Sequence, residues 1–303
     1  MTQIISAITQ EYVLEASDRR LIYGDGPQRG ECYDDDTCKL VNLCGTTGIA
    51  YSGIGVMKGG VPTHQWIAKT LANARCFEPA CAERELIAHA PAALAATPRE
   101  LRRHTFLFSG WAHFGEPPSL RPYTAMVTNM RDNAGRATSQ PGDVFNSSRR
   151  FLRENEDLSL CVAGETITKD RAEALEKNFG RLIRREIGPK EGLRLLVDEI
   201  INTSKRCSGV GSKVLGFCIP KKGAQRFFEK GQSVMLATQP NTDTNSFSYF
   251  EEGYAELRQY GPTTVCGEWA VTDVKTENDP SRNFQSSEFR ILAAPKSRSH
   301  SKG

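Results

Sequence analysis

Apolar residues crowd the start of the chain without alternating. Ile4, Ile5, Ala7 and Ile8 follow one another closely within Thr2 to Ile8, a pattern expected of a strand buried on both faces. Tyr12 to Ala16 repeats the rhythm after Thr9-Gln10-Glu11, so the two runs read as neighbouring strands joined by a short turn. Gly45 to Gly53 is free of charge and extends the β-rich block to about residue 53. The rhythm then changes to a helical one. Residues 61–76 place Trp66, Ile67, Leu71 and Ala74 on one stripe, with Pro62 suited to a first turn. A second helix is expected over 82–95, ended or kinked by Pro91.

Two further strands, His104 to Gly110 and Tyr123 to Met130, flank a Gly/Pro-rich connection. Residues 131–150 are polar and read as an inserted loop. Leu158 to Gly164 is the next strand. Ala172, Leu175, Phe179, Leu182 and Ile183 mark one amphipathic helix, and Leu193, Leu196, Val197, Ile200 and Ile201 another, with Gly188-Pro189 between them. Val214 to Ile219 returns as a strand. Strands, a helix pair, strands, a helix pair and a strand suit an α+β fold, a four-layer αββα sandwich spanning residues 1–220. Residues 221–303 are expected to form a C-terminal extension. Gln232 to Ala237 and Val265 to Val271 are candidate strands there, and the basic tail Lys296 to Lys302 reads as disordered.

Composition narrows the function classes. A net charge of +3 over 303 residues gives no nucleic-acid footprint. No apolar run approaches the roughly 18 residues of a membrane span, and no basic-then-apolar leader opens the chain, so a cytoplasmic location is the default expectation. Nine cysteines, an odd count without a leader, are expected as reduced thiols. Cys32, Cys38 and Cys44 are too widely spaced for a usual zinc knuckle, and Cys76 and Cys81, with four residues between them, have no matching His pair nearby. The histidines are not paired at ligand spacing either. No metal or cofactor is expected.

Chemistry enters at Thr2. Met1 ahead of a small residue is normally trimmed, which would give Thr2 both a hydroxyl nucleophile and an α-amine to serve as its base. A threonine hydroxyl needs such a base, and an α-amine titrates near ~8. Lys39 is the candidate to tune that amine and Asp18 the candidate to hold Lys39. A glycine at 53 would let a backbone N–H approach a reacting carbonyl as an oxyanion donor. The acidic run Glu31, Asp34, Asp35 and Asp36 ahead of Lys39 is read as a solvated loop rather than a substrate-reading patch.

Thr2, Ala16-Ser17-Asp18-Arg19, Thr37-Cys38-Lys39-Leu40-Val41 and Ile49-Ala50-Tyr51-Ser52-Gly53 together resemble the N-terminal part of proteasome β-type subunits and their bacterial relatives, which are N-terminal-nucleophile (Ntn) hydrolases. The nucleophile, the Asp, the Lys and the oxyanion Gly come in the family's order. Residues 24–36 make the Asp-to-Lys interval longer than usual. The resemblance implies an Ntn-type fold, Thr2 as nucleophile, Asp18, Lys39 and Gly53 in the supporting roles above, and a homo-oligomer. It also implies a supporting hydroxyl near residue 208. Ser208 and Ser212 are the candidates, and the Asp usual there is missing from Lys205-Arg206-Cys207-Ser208. A second departure is Ala163-Gly164-Glu165, where the family has a Ser-Gly pair. Ser208 to Lys213 is not a phosphate loop, because it follows a helix rather than preceding one.

Three functions remain: a threonine-type peptidase acting on peptides, a small-amide hydrolase on the same fold, and a non-enzymatic Ntn-like scaffold.

Overall fold

A computed structural model describes residues 2–24, 26–132, 134–185, 188–230, 258–260, 263–279 and 284–294. The expectations for Met1, for a strand at Gln232 to Ala237 and for the tail at Lys296 to Lys302 lie outside the described residues.

In chain order the elements begin with β1 (Gln3–Thr9), β2 (Tyr12–Asp18), β3 (Leu21–Ile22), β4 (Cys32–Asp34), β5 (Leu40–Leu43), β6 (Thr47–Ser52), β7 (Val56–Met57) and β8 (Val61–Pro62). Helices α1 (Thr63–Asn73) and α2 (Pro79–Leu94) precede β9 (Thr105–Phe114), β10 (Ser119–Thr128), β11 (Asn146–Phe151) and β12 (Leu158–Gly164). Then come α3 (Lys169–Arg184), α4 (Pro189–Ser204), β13 (Val214–Pro220), α5 (Lys221–Lys230), β14 (Arg258–Tyr260), β15 (Thr263–Cys266), β16 (Trp269–Asp279) and β17 (Phe284–Ala293).

Two sheets organise this mixed α/β fold, with five α-helices among the described residues. The smaller has four strands in the order β12-β1-β2-β13. The larger has nine, running β11-β10-β9-β6-β5-β15-β16-β14, with β17 also paired to β16. Every residue of β1 is buried, because both of its faces are covered. Ile5 and Ala7 pack with Leu14, Leu175, Leu193 and Ile200 under α3 and α4. Ile4 and Ile8 pack with Leu107, Trp111 and Phe217 between the two sheets. A third cluster joins the large sheet to α1 and α2 through Ile49, Phe106, Ile67, Leu71 and Leu86.

Several local departures have clear causes. Pro91 lies inside α2 without ending it, because Ala82, Leu86, Ala90 and Leu94 are all buried on one stripe and packing outweighs the hydrogen bond lost near the last turn. Residues 131–150 are not all loop. Asn146–Phe151 is an edge strand whose exposed, polar sequence hides it from periodicity. Buried Glu83 of α2 accepts hydrogen bonds from Ser147 Oγ at 2.8 Å and Arg149 Nη2 at 2.6 Å, fastening that strand. Val265 to Val271 is not one strand but the end of β15, a turn at Gly267-Glu268 and the start of β16. The segment expected as an extension adds β15 to the large sheet, parallel to β5.

The expectation of reduced thiols is corrected for four of the nine cysteines, while Cys32, Cys38, Cys161, Cys207 and Cys218 are free. Cys44 and Cys266 come to a Cα separation of 4.7 Å and are disulfide-bonded, as are Cys76 and Cys81. Counting cysteines cannot anticipate which strands will lie side by side. Among the described residues no helix is long and apolar enough to cross a membrane.

Candidate active site

Three separate segments converge on Thr2. Thr2 leads into β1, Asp18 ends β2, Lys39 immediately precedes β5 and Gly53 immediately follows β6. Pairing of β1 with β2, Ile4 opposite Ser17, returns Asp18 to the start of the chain. Lys39 is brought there from the facing sheet. The three side chains are almost sealed, with Thr2, Asp18 and Lys39 at 5%, 0% and 1% exposure.

Lys39 Nζ donates to Thr2 Oγ1 at 2.7 Å and to Asp18 Oδ2 at 3.0 Å. Its third donor goes to the Arg20 carbonyl, so all three N–H groups of the ammonium are used. Asp18 is equally saturated. Oδ1 accepts the Gln3 N–H at 2.8 Å, and Oδ2 also accepts the N–H groups of Arg20 at 3.0 Å and Gly211 at 3.1 Å. Burial pulls the Lys39 pKa below its usual value, and the Asp18 carboxylate opposes that pull. A buried ammonium in this setting gives up its proton more easily than a surface lysine.

Two glycines shape the surroundings. Gly164 has φ +83°, and a Cβ there would stand 1.9 Å from the Thr2 carbonyl oxygen. The next residue, Glu165, donates its N–H to that same oxygen at 2.7 Å. The departure at Ala163-Gly164-Glu165 therefore holds the Thr2 main chain. Gly53 has φ +121°, and a Cβ there would stand 2.1 Å from the Arg103 carbonyl oxygen. Neighbouring Ile54 donates its N–H to His104 Nδ1 at 3.1 Å. His104 is driven down to a pKa of about 3 by burial, so its ring is neutral and accepts that bond.

Thr2, Ser52, Gly53 and Gly164 open onto a cleft of about 1190 Å³. One wall comes from the hairpin of β3 and β4, with Leu21, Ile22, Tyr23 and Tyr33, and the other from the 96–105 segment. Tyr23 and Tyr33 meet edge to face at 5.2 Å between ring centroids.

Thr2, Asp18 and Lys39 are thus joined by hydrogen bonds, and Gly53 lines the same cleft. Ser208 is not brought to Thr2. It is exposed, and the contact it makes is through its carbonyl, which accepts from Arg20 Nη1 at 3.0 Å. Ser212 is exposed as well. The loop turns so that the Gly211 amide, rather than a hydroxyl, reaches the cluster. The acidic run is not simply solvated. Asp34 accepts from the Asp36 N–H and the Thr37 hydroxyl, and Asp36 pairs with Lys213 at 2.8 Å. The Arg20 carbonyl and the Gly211 and Glu165 amides are main-chain groups with no side-chain signature in the sequence. Only the glycines at 164 and 211 hinted at close approach.

No family model matches the chain, and no curated protein matches it. Among solved structures it is similar to an Anbu (Gly-1) mutant from Hyphomicrobium sp. strain MC1, at 14% identity and a TM-score of 0.44, over 72% of this chain and 80% of that one. A likeness at this level leaves the functional argument to the residues themselves.

Proposed function

We propose that this chain is an N-terminal threonine amidohydrolase of the proteasome-like Ntn class, built as a four-layer αββα sandwich and cleaving the amide bond of a peptide. The observation that carries the reading is the buried contact of Lys39 Nζ with Thr2 Oγ1 at 2.7 Å and Asp18 Oδ2 at 3.0 Å. A sealed lysine–carboxylate pair aimed at a threonine hydroxyl costs several kcal/mol in desolvation. That expense suits a charged group placed to act on its neighbour's titration rather than to stabilise the fold.

In this reading Met1 is first removed, leaving Thr2 with a free α-amine. The amine takes the proton of Thr2 Oγ as the oxygen attacks the amide carbon. Lys39 favours the neutral amine through like-charge repulsion and donates a hydrogen bond to Oγ. Asp18 keeps Lys39 oriented. The Gly53 N–H stabilises the oxyanion of the tetrahedral intermediate. The proton then passes to the leaving amine, giving an acyl ester on Thr2 that water hydrolyses. Ser208 has no part in this scheme.

The cleft of about 1190 Å³, partly walled by the hairpin, is roomier than most small-molecule pockets and favours a peptide over a small amide. The non-enzymatic scaffold predicts no turnover at all. Hydrolysis of fluorogenic peptides and small acyl-amides by the Met1-free chain is the test. The reading expects peptide turnover that Thr2→Ala abolishes and Thr2→Ser partly retains. Equal turnover by Thr2→Ala would refute it.

A further inference from the structure

Arg20 touches both partners of the buried ion pair through its main chain. Its N–H donates to Asp18 Oδ2 at 3.0 Å, and its carbonyl accepts from Lys39 Nζ. Residue 20 is thus an anchor that Asp18 and Lys39 share. The side chain of the same residue ties it to two neighbouring segments. The guanidinium makes a two-pronged contact with Asp35, Nε to Oδ1 at 2.6 Å and Nη2 to Oδ2 at 2.8 Å, while Nη1 donates to the Ser208 carbonyl at 3.0 Å. The fork lowers the Asp35 pKa, so the carboxylate is firmly ionised. Asp35 belongs to the inserted 24–36 segment, and residues 21–23 run directly from Arg20 into the cleft wall. Gly211 seals the joint, because a Cβ there would stand 2.7 Å from Arg20 Cβ and 3.3 Å from Asp35 Oδ1.

We infer that Arg20 and Asp35 are positioning residues, through which the inserted hairpin holds the Arg20 peptide groups against Asp18 and Lys39 and so sets how Lys39 is presented to Thr2. The inference rests on the proposed threonine chemistry and adds to it a coupling between the substrate-facing wall and the reacting centre. The fork is only partly shielded, with side-chain exposures of 24% and 33% for Arg20 and Asp35, so its worth lies in geometry more than in stability. A lysine at 20 keeps the charge but cannot reproduce two parallel bonds.

The test uses an N-terminal-threonine-directed epoxyketone as probe, with the maximal alkylation rate and the half-saturating concentration measured separately for the Met1-free wild type, Arg20→Lys, Asp35→Asn and the double variant. Thermal unfolding confirms that each is folded. The expected result is a roughly tenfold fall in maximal rate for each single variant, with the half-saturating concentration within about twofold of wild type. The double variant should be no slower than the worse single one, as non-additivity within one interacting pair requires. Asp35→Glu, which retains the carboxylate, should recover part of the rate. Wild-type rates in folded Arg20→Lys and Asp35→Asn, or effects confined to the half-saturating concentration, overturn this inference and leave the threonine chemistry standing. Absence of any adduct on the wild type overturns both.

Discussion

Replacing Glu15 by Gln isolates the cost of keeping a carboxylic acid between the two sheets. Glu15 is completely buried on β2 and accepts a hydrogen bond from Ser109 of β9 at Oε2, while its Oε1 has no hydrogen-bond partner among the described residues. Burial pushes its pKa up from 4.5 to about 8, against the lowering effect of the bonds from Ser109 and the Ala50 backbone. The native protein therefore holds the Glu15 proton up to about pH 8, whereas the unfolded chain releases it near pH 4.5. Between those values the unfolded state binds fewer protons, so this group lowers stability as pH rises. Each pH unit in the window is worth about 1.4 kcal/mol. From pH 4.5 to pH 7 the loss is therefore about 3 kcal/mol at this one site. Glutamine has nearly the shape of the protonated acid and does not titrate.

Urea denaturation of both proteins at fixed concentration, from pH 4.5 to pH 8, reads the difference. Glu15→Gln should gain on wild type steadily with pH, by about 3 kcal/mol between pH 4.5 and pH 7 and by about 4 kcal/mol by pH 8, whatever constant offset the amide adds. A difference independent of pH would refute the reasoning.

In the same Glu15→Gln background the neutral His104 should become visible. Its pKa is depressed to about 3, so the unfolded state binds more protons between there and about 6.5, and stability should rise with pH in that range; a flat curve there would count against the assignment. Lys39→Met strands a buried carboxylate and should cost about 3–5 kcal/mol as well as all reaction at Thr2; adding Asp18→Asn should restore stability but not reactivity, and recovered reactivity would contradict the role given to Lys39. Gly164→Ala should displace the Thr2 main chain and abolish epoxyketone labelling. Gly59→Ala, with a similar φ of +81° but open space around its Cβ, should cost only about 1–2 kcal/mol of backbone strain and label normally; equal behaviour of the two would refute the steric argument. Glu83→Ala should raise amide exchange across Asn146–Phe151 more than in neighbouring β10, since it removes the acceptor for Ser147 and Arg149.

Most of the mixed α/β fold was legible because burial imposes periodicity. Residues of β1 and the stripes of α1, α3 and α4 carry their packing in their order of residues. What periodicity could not show were elements held by polar contacts or by distant partners. Strand β11 is fixed by Ser147 and Arg149 reaching Glu83, and β15 by lying beside β5, more than two hundred residues away in sequence. At the site, Thr2, Asp18, Lys39 and Gly53 were readable as side chains or as a glycine at a turn. The Arg20 carbonyl and the Gly211 amide were not, since a peptide group has the same chemistry at every position. Ser208 was read as a hydroxyl, yet the chain uses the Ser208 carbonyl, and nothing in residue identity distinguishes those uses.

Intact mass of the purified chain, before and after reaction with a threonine-directed epoxyketone, tests the central claim most directly. The account predicts loss of Met1 followed by a single adduct that Thr2→Ala does not form. A Met1-free, folded protein that forms no adduct, or an adduct that persists in Thr2→Ala, would contradict it.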